Sequence, residues 1–212
     1  VNANDLAVMG ATPKWLMATL LFPEDTTPEM AELVFDQVLQ ACATLGITLV
    51  GGHTEVTYDL PRPIAVGVLL GEVDKDQVVL SSGAIPGDCI VLTKGIAIEG
   101  TAILAREVPD TLRKAGVGES TLKKAQDLLC NPGISIVRDA NITHSVVKVH
   151  AMHDPTEGGL ATGLLEMAMA SDVGLLINKN SIPILTECEQ ICQAIDLDPL
   201  GLIASGTLLA AV

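Results

Sequence analysis

Within the segment Met152–Ala168, M-H-D-P-T-E-G-G-L-A-T-G-L-L-E-M-A, an acid, a threonine and two adjacent glycines stand close together. An apolar, β-branched run (Val146, Val147, Val149) precedes them. Leu160, Leu164, Met167 and Ala168 follow at spacings of three and four. The pattern predicts a strand that delivers Asp154, Thr156, Gly158 and Gly159 to the start of a helix. Unpaired N–H groups and the positive dipole end attract phosphate at such a place, and the acid can hold an accompanying metal. The same residue types are also the ordinary cap signature of a helix start, so this pattern alone leaves both readings open.

Three other junctions invite the same question: Asn4-Asp5 on an opening helix, G-G-H-T at 51–54 after a strand, and Gly95–Thr101 after another. None is a Walker loop or a G-x-G-x-x-G fingerprint. Strand-to-glycine junctions nevertheless supply free amides and let a bulky anion approach closely. Asp5 and Asp154 together can form a Mg–triphosphate cradle, with carboxylates on the metal and amides on the oxygens. Each residue also has a plainer reading. Asp5 can be a first-turn acid favoured by the helix dipole. His53 can pair with phosphate, act as a general acid/base, or only close a turn, and Glu55 shares its strand face. His150 and His153 flank Asp154 and either orient it or are solvated. Lys94 either neutralises a phosphate or is a solvated strand end. Glu157 would repel a triphosphate unless a cation intervenes.

Elements that would position these residues follow from periodicity and punctuation. A helix is predicted over Asn2–Gly10, then a strand at Trp15–Phe22. Pro28 starts a helix that runs at spacings of three and four to Leu45, where Gly46 stops it. Strands follow at Ile47–Val50, running into Gly51-Gly52, and at Pro63–Val73. Residues 74–87 have the composition of a linker, which divides the chain into domains at 1–75 and 86–212. The second domain reads as strand Cys89–Thr93, helix Ala102–Glu107, loop Lys114–Gly118, helices Leu122–Cys130 and Ile134–His144, and strand 146–151. The helix after Gly159, strand Gly174–Asn178, helix Leu185–Ile195 and a last strand within Thr207–Val212 complete it. Alternating strands and helices imply an α/β layered architecture.

Bulk properties narrow the partners. The 212 residues carry a formal charge of −14, which argues against nucleic acid or an anionic membrane surface as the main partner. A local amide nest or Mg²⁺ still permits ATP. Apolar residues make up 49% of the chain and aromatics 2%, so Ala, Leu, Val and Ile build the interior. Five scattered cysteines (Cys42, Cys89, Cys130, Cys188, Cys192) suit reduced thiols in a cytoplasmic protein. Cys188 and Cys192, one helical turn apart, can also share a metal or a disulfide. The chain opens on Val1 and closes on an uncapped apolar strand, so both ends read as cut from a longer protein.

In order along the chain, V-N-A-N-D-L-A-V-M-G-A-T-P, L-V-G-G-H-T and M-H-D-P-T-E-G-G-L-A-T resemble the motifs of the aminoimidazole ribonucleotide synthetase superfamily. The stretch I-P-I-L-T-E-C to the carboxyl end is similar to its branch of hydrogenase maturation HypE-like proteins. The resemblance implies a two-domain α/β (α+β) fold whose amino-terminal sheets pair into a dimeric barrel. It also implies Mg²⁺ and ATP as cofactors, and phosphoryl transfer that activates a carboxamide or similar oxygen on a small or peptide-borne substrate. By position, Asp5 and Asp154 match metal-binding acids, and Asn4 a polar neighbour of the nucleotide site. Gly51, Gly52, His53 and Thr54 match a phosphate-facing turn, with Thr156, Gly158 and Gly159 beside the nucleotide and His53 as the catalytic candidate.

Departures qualify the match. The family's glycine-rich opening, a further metal-binding Asp and its last helix and strand would lie outside these residues. Glu157 stands where the HypE pattern has Arg, and His53 is similar to the selenophosphate synthetase turn. Two alternatives therefore stand beside the HypE-like enzyme. One is a selenophosphate synthetase-like or thiamine-monophosphate kinase-like phosphotransferase. The other is a nucleotide-sensing dimer that keeps the fold without turnover.

Overall fold

A computed structural model describes residues 1–212, which divide into two compact units. One comprises Ala11–Asp76 together with Asn2. The other joins Ala3–Gly10 to Gln77–Val212 and includes Val1. The opening helix α1 (Asn2–Ala7) thus packs largely with the carboxy-terminal half, whereas the sequence reading grouped it with the amino-terminal one. The reason is apolar: Ala7 and Val8 are buried beside Ile136, Met152, Leu208 and Ala210.

The amino-terminal unit is a βαβ crossover with one added strand. β1 (Thr12–Phe22) leads into α2 (Pro28–Leu45), which returns the chain to β2 (Thr48–Val56) parallel to β1, as a parallel pair requires. Local chemistry sets the ends of α2. The Thr27 side chain accepts a bond from the Met30 N–H at 3.3 Å, Pro28 opens the first turn, and Gly46 stops the helix at φ +68°. β3 (Ile64–Glu72) pairs antiparallel with the other edge of β1, giving the order β2-β1-β3. Register places Trp15 opposite Leu70, Met17 opposite Val68, and Thr19 opposite both Val66 and His53. One sheet face therefore carries Trp15, Met17, Ile64, Val66, Val68 and Leu70, all exposed.

The glycines at 51 and 52 lie inside β2 rather than in a turn after a strand. Leu16 pairs with Leu49 but Met17 with Gly51, so Val50 is an extra residue in β2. Gly52, at φ +149°, follows this bulge, and a Cβ there would run into the backbone of Ala18. Glycine keeps the parallel pair closed across the irregularity.

The carboxy-terminal unit is layered. Its strands are β4 (Ile90–Leu92), β5 (Ala151–His153) and β6 (Leu209–Ala211), in the order β4-β6-β5 with both pairings antiparallel. Central β6 is buried on both faces. Leu209 and Ala211 meet Leu160, Met167, Cys188 and Cys192, while Leu208 and Ala210 meet Ile136, Met152 and α1. This two-sided burial follows from the period of two along a strand. The helices are α3 (Ile98–Glu107), α4 (Pro109–Lys114), α5 (Glu119–Asp127), α6 (Val137–Val146), α7 (Gly159–Ser171) and α8 (Thr186–Ala194). Ala105 of α3, Leu112 of α4, Leu122 of α5 and Ile191 of α8 form a further apolar cluster.

Several expectations shift. Helix α4 begins at Pro109, in a stretch the sequence reading did not assign. Val146 ends α6 and the strand begins only at Ala151, because packing overrides the β preference of the valines. Gly174–Asn178 belongs to no strand, and Leu176 is fully exposed. All five cysteines are free: Cys42, Cys188 and Cys192 are buried, and Cys89 and Cys130 exposed. No helix is long and apolar enough to cross a membrane.

Candidate active site

At the end of β5 the chain turns through Asp154 and Pro155 into α7, as the pattern of the segment predicts. The turn is held from inside. The carbonyl of Thr156 accepts bonds from the N–H of Gly159 at 3.1 Å and of Ala204 at 3.2 Å. Gly158 and Gly159 take φ values of +75° and +65°, a left-handed pair that only glycine adopts readily. Gly159 is further constrained, since a Cβ would come within 2.6 Å of the Leu200 carbonyl. Its primary task is thus to seat α7 against residues 200–202. Helix α7 has no side-chain cap, so beyond the Gly159 N–H, which the Thr156 carbonyl takes, the first-turn N–H groups of Leu160 and Ala161 lack the usual intrinsic partner.

Asp154 sits at the head of this turn and is 6% exposed. Its Oδ2 is buried and has no hydrogen-bond partner. Burial, and then the charge of Asp5, push its carboxyl up to about 6. Asp5 is exposed, but partial desolvation raises it too, with the chain's amino group partly opposing the shift. Two acids far apart in the carboxy-terminal unit's sequence are thus close enough for the charge of Asp5 to act on Asp154. An uncompensated pair of this kind is costly, and a divalent cation with oxygen ligands would relieve it.

The neighbouring polar residues are engaged elsewhere. Asn4, 1% exposed, donates from Nδ2 to the Ile134 carbonyl at 2.9 Å, and its Oδ1 accepts from the Ile136 N–H at 3.0 Å. Each end of the Asn4 amide thus has a backbone partner within the carboxy-terminal unit. His153 pairs through Nε2 with Glu166 at 2.7 Å and His150 through Nδ1 with Asp88 at 2.9 Å, so neither orients Asp154 by a direct bond. The Lys94 ammonium donates to the Ser135 carbonyl at 2.8 Å and pairs with Asp139 at 3.1 Å. It is a tether rather than a free phosphate partner. Glu157 is fully exposed, and its carboxyl is held below the ordinary range by its own backbone N–H and by Thr156.

In the amino-terminal unit His53 and Glu55 are exposed on β2, with Nε2 and Oε2 3.2 Å apart. Gly51 is open, with nothing near the position a Cβ would take, and Thr54 is exposed on the opposite face from His53. Sequence reasoning missed Glu99, whose Oε2 is buried without a partner in the first turn of α3. Its position within the Gly95–Thr101 junction was the available signal.

A family model described as AIR synthase related protein, N-terminal domain, matches residues 1–73, and its C-terminal domain counterpart matches 86–212. The chain belongs to this AIR synthase related family. A Methanocaldococcus jannaschii protein named for hydrogenase expression/formation is 32% identical over 211 residues, covering 100% of this chain and 59% of its own. Carbamoyl dehydratase HypE of Cupriavidus necator is 29% identical over 216 residues, covering 98% of this chain and 56% of its own. A solved hydrogenase maturation protein HypE in complex with ATP superposes with a TM-score of 0.84 at 26% identity, covering 100% of this chain and 60% of that one. The chain thus spans rather more than half the length of these relatives, and the mixed α/β fold of the family is present in it.

Proposed function

We propose that the protein binds Mg–ATP and transfers a phosphoryl group to an oxygen of a carboxamide or similar acceptor, in the manner of the HypE-like branch. The observation that carries this reading is the buried, partnerless Oδ2 of Asp154 beside the charge of Asp5, at the foot of an uncapped helix. The residues fit the ion: two carboxylates supply hard oxygen ligands, and burial leaves Asp154 in need of a cation. When bound, Mg²⁺ supplies neutralisation of phosphate charge.

The chain's own groups do the rest. The first-turn amides of Leu160 and Ala161 in α7, with Gly158 removing side-chain bulk, donate to phosphate oxygens. Pro155, packed under Gly163, and the Thr156 carbonyl, tied to Ala204, keep that turn from yielding as charge moves. In the transfer the bond from the γ-phosphorus to its bridging oxygen breaks, and a bond to the acceptor oxygen forms. Positioning and charge account for most of the acceleration in such a step. For Gly51, Gly52, His53 and Thr54 the family resemblance alone supports a phosphate-facing role, and for His53 an acid/base one.

A homodimer belongs to the same proposal. The exposed apolar face of β1 and β3 is of the kind that proteins cover by pairing. Sedimentation of the full-length protein at micromolar concentration is expected to show a dimer. Calorimetry is expected to show ATP binding only with Mg²⁺ present, and equal ATP affinity without Mg²⁺ would remove the site assignment.

A further inference from the structure

We infer that Asn4 is a positioning residue of the metal site: its amide locks α1 to the loop ahead of α6 and thereby sets where Asp5 points. The inference rests on the Mg–ATP reading and deepens it. Helix α1 has six residues and no side-chain cap, far below the roughly 12–15 residues at which a helix persists by itself. Its place must come from tertiary contacts. The contacts of Ala7 and Val8 are apolar and therefore non-directional, and they leave the rotation of α1 about its axis weakly set.

Just past the helix the Met9 carbonyl accepts from the Val79 N–H at 3.1 Å, and within the helix the amide of Asn4 adds two directional bonds to the carboxy-terminal unit. It donates to residue 134 and accepts from residue 136, two points on one loop, so both sliding and turning of α1 break a bond. Asp5 is the next residue, about 100° further round the helix, so its carboxylate direction follows from that lock. Without a cation the two carboxylates repel, and a freely turning α1 would swing Asp5 away.

The loop itself is held from its other side. Lys94 donates to the carbonyls of Ser135 at 2.8 Å and Gly133 at 3.4 Å and pairs with Asp139 on α6 at 3.1 Å. A connected series of contacts thus runs from the end of β4 through residues 133–136 to Asn4 and Asp5. Asn4 needs no contact with any ligand for this role.

The test uses the full-length protein and two titrations: Mg²⁺ at fixed AMP-PNP, and AMP-PNP at saturating Mg²⁺. Asn4→Ala is expected to raise the Mg²⁺ midpoint about tenfold or more, the usual cost of losing a group that orients a metal ligand. At saturating Mg²⁺ its AMP-PNP affinity should stay within about threefold of the parent. A lowered melting temperature with an unchanged Mg²⁺ midpoint would mean ordinary packing and would overturn the inference. Lys94→Gln, which loosens the loop without touching α1, is expected to shift the midpoint the same way by about threefold. It keeps the test open if Asn4→Ala does not fold, and an unchanged midpoint in it would then count against the idea. Asp154→Asn separates the two levels. If it abolishes the Mg²⁺ dependence while Asn4→Ala leaves it intact, only the positioning role fails. If Asp154→Asn changes nothing, the metal site itself is wrong.

Discussion

The two glycine pairs of this chain look alike in sequence and are used differently. Gly51-Gly52 is followed by a histidine and a threonine, and Gly158-Gly159 is preceded by an aspartate and a threonine. The first pair lies within β2, where Gly52 lets a bulged parallel strand approach Ala18, and its polar neighbours are exposed. The second ends a turn between a buried strand and an uncapped helix, with a carboxylate buried at its head. Gly52, Gly158 and Gly159 answer a backbone demand, and Gly51 does not. What separates the pairs is burial. An exposed His–Glu pair has water as its partner, whereas the orphan oxygen of Asp154 has none.

The largest effect that would sharpen this contrast is expected from Gly159→Ala. The positive φ and the Leu200 and Leu202 carbonyls leave no room for a methyl group, so a loss of roughly 3 kcal/mol or more is expected in chemical denaturation. Gly51→Ala, at an open position, should cost under about 1 kcal/mol by the same measurement. Equal costs at the two positions would break the comparison.

Asp154→Asn should move binding and stability in opposite directions. Mg–ATP affinity is expected to fall about a hundredfold, because a hard anionic ligand is lost. The metal-free protein should meanwhile gain stability at neutral pH, on the order of 2 kcal/mol, because the buried charge is gone. A variant that loses both together would mean that Asp154 is a structural acid.

The pH dependence follows from the same group. Its carboxyl titrates near 6 when folded against an ordinary value of 3.8, so the folded chain holds more protons than the unfolded one in that window. This contribution is fully present below pH 3.8 and is lost as the pH rises through about 6. Melting curves without metal should show that decline, and saturating Mg²⁺ should flatten it. The smallest effect is expected from His53→Ala, under about 0.5 kcal/mol in stability, since an exposed pair contributes little. If phosphoryl transfer by the full-length protein survives that change undiminished, the catalytic assignment of His53 fails.

Much of the fold was legible along the chain. Pro28 and Gly46 mark both ends of α2, and the apolar run within Pro63–Val73 marks β3. The strand–Asp154–glycine–helix unit could be read from its residue types. Less legible were α4, the end of α6 at Val146, and the unpaired stretch Gly174–Asn178, which has strand composition but no ladder. Composition reports what a segment tolerates, and pairing depends on which neighbour the fold supplies. For the same reason the backbone bonds of the Asn4 amide to residues far along the chain could not be read from its local sequence.

By itself the sequence determined the local pieces: where helices start and stop, which strand faces are apolar, and where only glycine allows the chain to bend. These are matters of side-chain shape and backbone freedom within a few residues. Only the tertiary structure decided that α1 packs with the carboxy-terminal unit, that the charge of Asp5 acts on Asp154, and that one oxygen of Asp154 is buried without a hydrogen-bond partner. Proximity between distant residues and exclusion of solvent arise from packing, and no short stretch of sequence carries either.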